Sequence, residues 1–376
     1  MKKKNNKPLI SIAIPTYNRA VFLQNLLSHI APEANELEGI FQICISNNCS
    51  TDNTSEVVAG FQTRYPGLIS YNENSENLGY DGNVLKIMEM SDGEFVWLLG
   101  DDDMIVDGGF KKVINFIKDY CDDNTGIILL GHESYCTDEK NGKEIAYFDT
   151  IEETKPKMYK TDIKDIIGIR SNNSFLSILL LNNKFLKKIL KEENAYIAKA
   201  VTTSYIHVFI YQLMLLKYQQ LEVLRFNEAI IHESLHCYKY YVEDKFSLYY
   251  VAWKKLDHLL LASKYVGDFY RRIITGEEKK IRRRAIKEMG SMKAFDTFNY
   301  HSFIGCVKLF FRQATWMDAF LVSFFFIIFL VTPSIILKEM YKTFVKAKYR
   351  EKWQKVWLHI VVSNSMMSKG SRRLVF

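Results

Sequence analysis

Four short apolar runs in the first hundred residues each stop at a polar loop, and stretches with helical spacing of apolar residues separate them. The runs cover residues 9–14, 41–45, 68–72 and 95–99. Strands that alternate with helices in this way form a mostly parallel α/β sheet flanked by helices. In such sheets ligands bind at the carboxyl ends of the strands. We therefore expect the chemically active side chains in the loops that follow these runs.

The composition places the chain among globular proteins. Of its 376 residues, 48% are hydrophobic and 25% are charged, which excludes a disordered chain. The net charge is +7, and basic residues concentrate at 279–284, 338–355 and 369–373, which favours an anionic surface or substrate. We expect no nucleic acid partner, because no helix-turn-helix, zinc-finger or RNA-binding signature accompanies the charge. None of the cysteines forms a CxxC pair, so structural zinc is not expected.

The pattern changes after the first hundred residues. Further strands are predicted at 127–132, 174–181 and 221–227, with a loop-rich insertion at 136–160 and a long helix at 200–216. We predict an α/β domain over residues 1–235, a helical extension over 236–315, and a hydrophobic helix with a basic amphipathic tail over 316–376.

The loop after the fourth run contains three consecutive aspartates, Asp101, Asp102 and Asp103. Adjacent carboxylates repel one another and raise each other's pKa unless a cation lies between them. Oxygen ligands suit Mg²⁺ or Mn²⁺, and such an ion would bind a diphosphate and stabilise it as a leaving group. The alternative is a solvated turn whose acids cap the next helix.

Four blocks taken in order resemble the family 2 glycosyltransferases. They are ISIAIPTYNR at 10–19, STDNT at 50–54, NLGY at 77–80 and GDDD at 100–103. The resemblance implies a GT-A (Rossmann-like) fold and an inverting transfer of a sugar from a nucleotide-diphosphate donor, in bacterial polysaccharide, O-antigen or capsule synthesis. Within the family, the blocks at 77–80 and 101–103 are most similar to abequosyltransferase-like members.

The resemblance also implies donor-binding residues. The residues carried over to the nucleotide sugar are Pro15, Thr16, Tyr17, Arg19, Asn47, Asn77, Gly79, Asn83 and Asp101. Tyr17 would stack on the base and Arg19 would reach a phosphate. Asn47 stands where the family usually has an aspartate that accepts from the base. Since an amide both donates and accepts, the donor base stays open.

The acidic block departs from the family's usual Asp-any-Asp-Asp pattern. Gly100 falls where the first aspartate usually stands. Asp102 then matches the metal-binding acid, with Asp103 beside it as the second metal ligand. A shifted register, with Asp101 and Asp103 as the pair, is the second choice.

The general base that inversion requires has no clear counterpart. His207 lies in a segment without acidic residues, and its imidazole is a candidate. A buried core histidine is the alternative role. Glu233, together with Glu228 and His232, is the rival candidate after the last predicted strand.

The C-terminal part has membrane-like features. Residues 319–337 carry no charge, contain Pro333 and are followed by many lysines, which the positive-inside rule places in the cytoplasm. The apolar stretch at 9–14 is too short for a signal peptide, so the catalytic part is also expected there. With both ends on one side, we predict a re-entrant or interfacial element, with a core helix as the alternative. The expected location is the cytoplasmic face of the bacterial cell membrane, and the resemblance implies a saccharide acceptor, lipid-linked as is common for such members of the family.

Two other functions fit parts of the pattern. One is a catalytically inactive GT-A domain that serves as a membrane scaffold for a polysaccharide assembly complex. The other is a sugar nucleotidylyltransferase, which would normally carry a Gly-rich, Arg-containing loop where residues 15–19 read PTYNR.

Overall fold

The computed structural model describes residues 7–137, 144–149, 158–161, 166, 175–234 and 253–273, together with isolated positions between 324 and 336. The chain divides into two compact units. The first comprises residues 1–132, 151–233 and 247–284, and the second comprises 133–150, 234–246 and 285–376. The predicted segment 316–376 lies outside the described residues except for those isolated positions. The domain boundaries predicted from the sequence stay predictions.

The first hundred residues form the strands and helices that the apolar pattern predicts. In chain order these are β1 (Ile10–Thr16), α1 (Ala20–Glu36), β2 (Phe41–Asn47), α2 (Thr54–Arg64), β3 (Ile69–Glu73), α3 (Gly79–Met90) and β4 (Phe95–Leu98). These four strands pair in parallel in the order β3-β2-β1-β4. Because Thr16 pairs with Asn47 and Asn47 pairs with Glu73, the carboxyl ends of β1, β2 and β3 lie level with one another.

Burial explains why these elements form. Residues 10–14 of β1 are completely buried and all but Ser11 are apolar, as expected for a strand covered on both faces. The Ser11 hydroxyl is satisfied by Gln42 and by the backbone N–H of Gly93. Helix α1 buries residues at helical spacing, including Leu23, Leu27 and Ile30, against the sheet.

The second half of the first unit extends the same sheet. Its elements are β5 (Met104–Ile105), α4 (Gly109–Tyr120), β6 (Thr125–Thr137), β8 (Met158–Lys160), β9 (Leu179–Asn182), α5 (Asn183–Glu192), α6 (Asn194–Ile197), α7 (Ile206–Lys217), β10 (Glu222–Ser234) and α8 (Trp253–Ala262). Past β4 the sheet order continues β9-β6-β10-β5, with β8 also on β10. In the second unit, the part of β6 from Glu133 pairs with β7 (Glu144–Asp149) in an antiparallel hairpin.

The prediction of a mostly parallel sheet is wrong for this half. β9 is antiparallel to both β4 and β6, and β5 and β8 are antiparallel to β10. The sheet is therefore mixed. Buried strands such as residues 127–130 are apolar on both faces in either orientation, so the apolar pattern locates a strand without giving its direction.

Three further details differ from the sequence predictions. The insertion at 136–160 contains β7 and β8, the last strand extends to Ser234, and the helix predicted from residue 200 begins at Ile206 after a loop. Within the part of the chain that the structure describes, none of the helices combines the length and apolar content needed to cross a bilayer.

Candidate functional site

Two loops at the carboxyl edge of the sheet are tied together. The Asn18 side-chain oxygen, after β1, accepts a hydrogen bond from the backbone N–H of Thr51 at 2.7 Å, and the backbone N–H of Asn18 donates to Ser50 Oγ at 2.8 Å. Asn18 and Cys49 both have positive φ, 52° and 62°, so each loop turns sharply at the end of its strand. Asp52 accepts from the N–H groups of Ala20 and Thr54 and so joins the first turns of α1 and α2. The loops thus form one rigid rim.

The acidic block points into this rim and away from open solvent. Asp101 is 4% exposed, and its Oδ2 accepts a hydrogen bond from the Thr16 hydroxyl at 2.8 Å. The Arg19 guanidinium contacts Asp101 Oδ1 at 3.2 Å and Asp102 Oδ2 at 2.5 Å. Desolvation raises the pKa of Asp101 to about 7, while the charge on Arg19 opposes this shift. Two of the three carboxylates therefore share the Arg19 guanidinium. The alternative interpretation of the block as a solvated turn is wrong.

Asp103 and Gly100 are held by a residue that the sequence analysis missed. The Ser177 hydroxyl donates to Asp103 Oδ2 at 2.5 Å and accepts from the Gly100 N–H at 2.8 Å. A Cβ at Gly100 would lie 2.6 Å from Asp103 Oδ2, closer than real contacts allow. Any side chain in place of the glycine at this position would therefore have to displace the Asp103 carboxylate from its contact with Ser177. Ser177 lies in a 3₁₀ turn 77 residues beyond Gly100, and no local motif marks it.

Asn47 is engaged inside the protein. It is fully buried, its Nδ2 donates to Tyr71 Oη at 2.9 Å and to Ser55 Oγ at 3.3 Å, and its Oδ1 accepts from the Ser50 N–H at 3.0 Å. These bonds use both amide protons and the carbonyl oxygen. The structure thus places Asn47 beneath the rim, where it braces the β2–α2 loop.

Asn83 has a comparable role on α3. Its Oδ1 accepts from Ser46 Oγ at 2.7 Å and from Asn74 Nδ2 at 3.0 Å, and its Nδ2 donates to the Ser46 carbonyl at 3.0 Å and to the Thr16 carbonyl at 3.4 Å. The residue is 4% exposed. Asn83 therefore ties α3 to the ends of β1 and β2.

The loop before α3 is organised by paired asparagines. Asn77 Oδ1 accepts from Asn48 Nδ2 and from the Gly79 N–H, both at 2.8 Å. Asn48 Oδ1 accepts from the Leu78 N–H at 2.8 Å and from Asn74 Nδ2 at 3.2 Å. Gly79 has φ +72°, a conformation that favours glycine. Asn77 and Gly79 are residues that the sequence predicts for this site, whereas Asn74 is marked only by its asparagine-rich surroundings.

Exposed aromatic and apolar side chains line the rim. Tyr17 is 42% exposed, Leu78 41% and Tyr80 45%. Pro15 pairs with Ser46 just inside the edge. The Tyr80 ring lies 6.4 Å from the His207 ring, centroid to centroid. These side chains offer flat surfaces to a ligand above the acidic block.

The sequence profile of Glycosyl transferase family 2 matches residues 11–190, which contain every element of this rim and the acidic block. This part of the chain is a family 2 glycosyltransferase domain. The family predicted from the four sequence blocks is confirmed.

Named relatives agree with this family assignment. Abequosyltransferase RfbV of Salmonella typhimurium is 30% identical over 214 residues, which is 54% of this chain and 60% of that protein. A GalNAc(5)-diNAcBac-PP-undecaprenol beta-1,3-glucosyltransferase of Campylobacter jejuni is 24% identical over 208 residues, 51% of this chain and 63% of that protein. The chain thus spans less than two thirds of the length of either relative.

Solved structures agree on the fold. TarS of Staphylococcus aureus in complex with UDP superposes with a TM-score of 0.50 at 14% identity, covering 98% of this chain and 94% of that one. Mannosyltransferase PcManGT of Pyrobaculum calidifontis, in complex with GDP-Man and Mn²⁺, gives 0.51 at 10% identity, covering 96% and 88%. The mixed sheet flanked by helices is therefore a GT-A-type α/β fold.

The family 2 domain contains oxygen donors suited to a divalent cation. Among the described residues, no three side chains of the usual ligand types form a metal-binding group. Asp101 and Asp102 do converge on one point, the Arg19 guanidinium, whereas Asp103 faces Ser177. Mg²⁺ is typically held by one or two carboxylates together with substrate phosphates, so this pair fits such an ion when a diphosphate supplies further ligands. The two metal ligands predicted from the sequence, Asp102 and Asp103, thus contact different side chains: Asp102 contacts Arg19 and Asp103 contacts Ser177.

The two candidate bases lie beyond the matched residues 11–190, in different surroundings. His207, on α7, is 2% exposed and lies beside the rings of Tyr80 and Tyr205. The Glu233 side chain, on β10, is 23% exposed, with His132 Nε2 at 3.7 Å. Desolvation, followed by the charge on Arg225, lowers the pKa of His132 to about 4, so this histidine is neutral at pH 7 and the contact is not an ion pair.

Proposed function

We propose that this protein transfers a sugar from a nucleoside-diphosphate donor to a saccharide acceptor with inversion at the anomeric carbon, assisted by Mn²⁺ or Mg²⁺. One observation carries the proposal. Two adjacent carboxylates, on Asp101 and Asp102, and the Arg19 guanidinium meet at the carboxyl edge of the parallel part of the sheet in a family 2 domain. Ligands of α/β sheets bind at this edge, and a diphosphate needs both cationic and metal-binding partners.

The side chains divide the work of donor binding. Tyr17 is exposed at the rim and offers its ring to the base, while Gly79, without a side chain, lets the donor approach the backbone. Arg19 is 28% exposed and can direct N–H groups to phosphate oxygens. A divalent ion held by Asp101 and Asp102 would neutralise the charge that the diphosphate gains on leaving.

Inverting transfer is a single displacement. The acceptor hydroxyl oxygen forms a bond to the anomeric carbon, the bond from that carbon to the diphosphate oxygen breaks, and the hydroxyl proton passes to a base. Exposure favours Glu233 over His207 as this base, since the acceptor hydroxyl must come within hydrogen-bonding distance. On β10 the neighbouring His232 pairs with Met104, which directly follows Asp103, so Glu233 lies close along the sheet to the acidic block.

The proposal also covers the acceptor of the sugar and the location of the protein in the cell. A relative whose name specifies a PP-undecaprenol acceptor supports a lipid-linked saccharide as the acceptor. We propose that transfer occurs at the cytoplasmic face of the bacterial cell membrane, with the C-terminal region, which is apolar at 319–337 and basic at 338–355, on the membrane surface. The binding test described next identifies the nucleobase of the donor.

A binding screen tests the donor site. Titration calorimetry with UDP, GDP, CDP and dTDP, each with and without Mn²⁺, should give one diphosphate that binds more tightly with the metal. Asp102→Asn should weaken that binding about tenfold or more, because the amide keeps the shape but removes the charge. Asp107→Asn, at an exposed position near the acidic block, is the matched control and should bind like the unmodified protein. Metal-independent binding that Asp102→Asn leaves unchanged would contradict the proposal.

Turnover separates an enzyme from an inactive scaffold. The protein should slowly hydrolyse the nucleotide sugar of the preferred base and release the inverted sugar, which NMR of the anomeric proton identifies. Glu233→Gln should lower this rate by about 10²-fold or more, as expected on removal of a general base. A scaffold would hydrolyse none of the nucleotide sugars.

A further inference from the structure

Asp81 is a buried carboxylate in the first turn of α3 that the donor site does not use. It is 3% exposed. Its hydrogen-bond donor Ser204 lies 123 residues further along the chain. Its Oδ2 accepts from the Ser204 N–H at 2.9 Å, and its Oδ1 accepts from the Ile206 N–H at 3.2 Å. A carboxylate this deeply buried requires strong donors.

The donors come from the start of another helix. Ile206 is the first residue of α7, and Tyr205, which precedes it, makes no side-chain cap. The first N–H groups of a helix need acceptors from elsewhere, and a negative charge there interacts favourably with the helix dipole. Asp81 is therefore the cap of α7, supplied by a distant part of the chain, and it also lies in the favourable first turn of its own helix.

The loop that leads into α7 is held in an unfavourable conformation. Thr202 and Ser204 have φ of +81° and +61°. This is the left-handed region, which residues other than glycine and asparagine rarely adopt. Hydrogen bonds from this loop to Asp81 lower the pKa of that carboxyl against the larger effect of desolvation, which raises it. Backbone strain of this kind persists only where the surroundings fix it.

The two ends of this contact belong to opposite sides of the site. On one side, α3 begins at Gly79, in the loop that Asn48 and Asn77 organise next to the donor. On the other side, the first turn of α7 carries His207, whose ring lies 6.4 Å from that of Tyr80.

We propose that Asp81 is a positioning residue that fixes the loop at 201–205 and the start of α7 against the donor loop, and thereby sets the wall of the site on which the acceptor rests. The proposal rests on the proposed function for its last step. Its structural part, that Asp81 holds this loop, is independent of the substrate. Lys255 of α8 contacts the other end of the same loop, at the Val201 carbonyl and the Thr202 hydroxyl, so loss of Asp81 should release the α7 end selectively.

Hydrogen exchange of the full chain tests the structural part. In Asp81→Asn, one acceptor oxygen becomes an amide NH2 group that faces N–H donors, so exchange within residues 201–208 should be about tenfold faster or more, while exchange in β1–β4 stays unchanged. Asp92→Asn, at an exposed site just after the same helix, is the matched control. Modification of His207 by diethyl pyrocarbonate, followed by mass spectrometry, should accelerate in Asp81→Asn alone. Unchanged exchange at 201–208, or an equal increase in every segment, would overturn the proposal.

Binding and turnover test the functional part. The diphosphate that binds most tightly among UDP, GDP, CDP and dTDP should keep its Kd within about twofold in Asp81→Asn, whereas turnover should fall about tenfold or more. Asp81→Glu keeps the charge and should recover part of the turnover. A parallel loss of diphosphate affinity and turnover would refute a positioning role on the acceptor side. If the unmodified protein neither binds nor hydrolyses any donor, the proposed function fails, and the exchange experiment still decides whether Asp81 holds the loop.

Discussion

Replacing Arg19 by methionine tests how the acidic block is stabilised. The guanidinium contacts Asp101 at 3.2 Å and Asp102 at 2.5 Å and lies over the Phe22 ring at 4.6 Å from its centroid. Methionine keeps an unbranched apolar stem for the contact with Phe22 and removes the charge. The variant therefore leaves two adjacent carboxylates without their shared guanidinium.

The magnitude follows from the exposure of the three side chains. The side chain of Asp101 is 5% exposed, that of Asp102 16% and that of Arg19 28%, so the group is neither fully buried nor on the surface. Breaking a buried pair by removing one partner costs about 3–5 kcal/mol, whereas exposed pairs contribute about 0–1 kcal/mol. Between these limits, we expect Arg19→Met to lower the free energy of unfolding by about 2 kcal/mol in EDTA.

Urea unfolding with and without Mn²⁺ is the assay. If a cation can take the place of the guanidinium, Mn²⁺ should stabilise Arg19→Met more than the unmodified protein, where Arg19 competes for the same oxygens. Ligand binding to the folded state at a hundredfold excess over Kd contributes about 2.7 kcal/mol, enough to restore the expected loss.

A control on the neighbouring helix separates charge loss at the site from charge loss in general. Arg64 is exposed at the end of α2 and contacts the Tyr65 ring, so Arg64→Met should change stability by less than about 0.5 kcal/mol, with no response to Mn²⁺. The reasoning fails if Arg19→Met is as stable as the unmodified protein in EDTA. It also fails if Mn²⁺ stabilises both proteins equally.

Three further substitutions test the surroundings of the site. Gly100→Ala should cost about 1–3 kcal/mol in urea unfolding, because the new Cβ would displace the pinned carboxylate of Asp103; a neutral effect would show that this block can move. Asn83→Asp should cost about 3 kcal/mol, since a carboxylate oxygen would face two backbone carbonyls, and stability equal to the unmodified protein would contradict the hydrogen-bond assignment. His132 has a pKa lowered to about 4 from 6.5, so the stability it contributes is present above pH 6.5 and is lost as pH falls towards 4. His132→Gln should therefore flatten the pH dependence of stability in that window by about 2–3 kcal/mol, and an unchanged slope would refute the shift.

The positions of the site loops could be predicted because parallel strands impose them. A buried strand that stops at a polar loop leaves that loop at the carboxyl edge, so Thr16 and Asp101 meet although 85 residues separate them. The same reasoning places Arg19, in the loop after β1, near the aspartates in the loop after β4. The strand pattern does not reveal whether Arg19 or a metal ion neutralises these aspartates, because it does not indicate where each side chain points.

The roles of the amides could not be predicted for a related reason. Asn47 and Asn83 stand at positions that suggest donor contacts, yet their hydrogen bonds go to the loops and strands around them. An amide that braces a loop and one that binds a ligand have the same sequence signal. Contacts such as Asp81 with the loop before α7, or Ser177 with Asp103, join segments with no shared pattern and appear only in the folded chain.

The charge of the acidic block links donor binding to metal binding. Among these four side chains, three carboxylates and one guanidinium sum to a negative charge, reduced in part because the pKa of Asp101 is raised to about 7. A nucleoside diphosphate is itself an anion, and in this largely buried setting the repulsion is poorly screened. Arg19 cannot serve both the carboxylates and the diphosphate at full strength, which is why we propose that a divalent ion accompanies the donor. Diphosphate affinity should therefore rise with Mn²⁺ concentration in the unmodified protein, and the dependence should weaken when Asp102 is changed to asparagine.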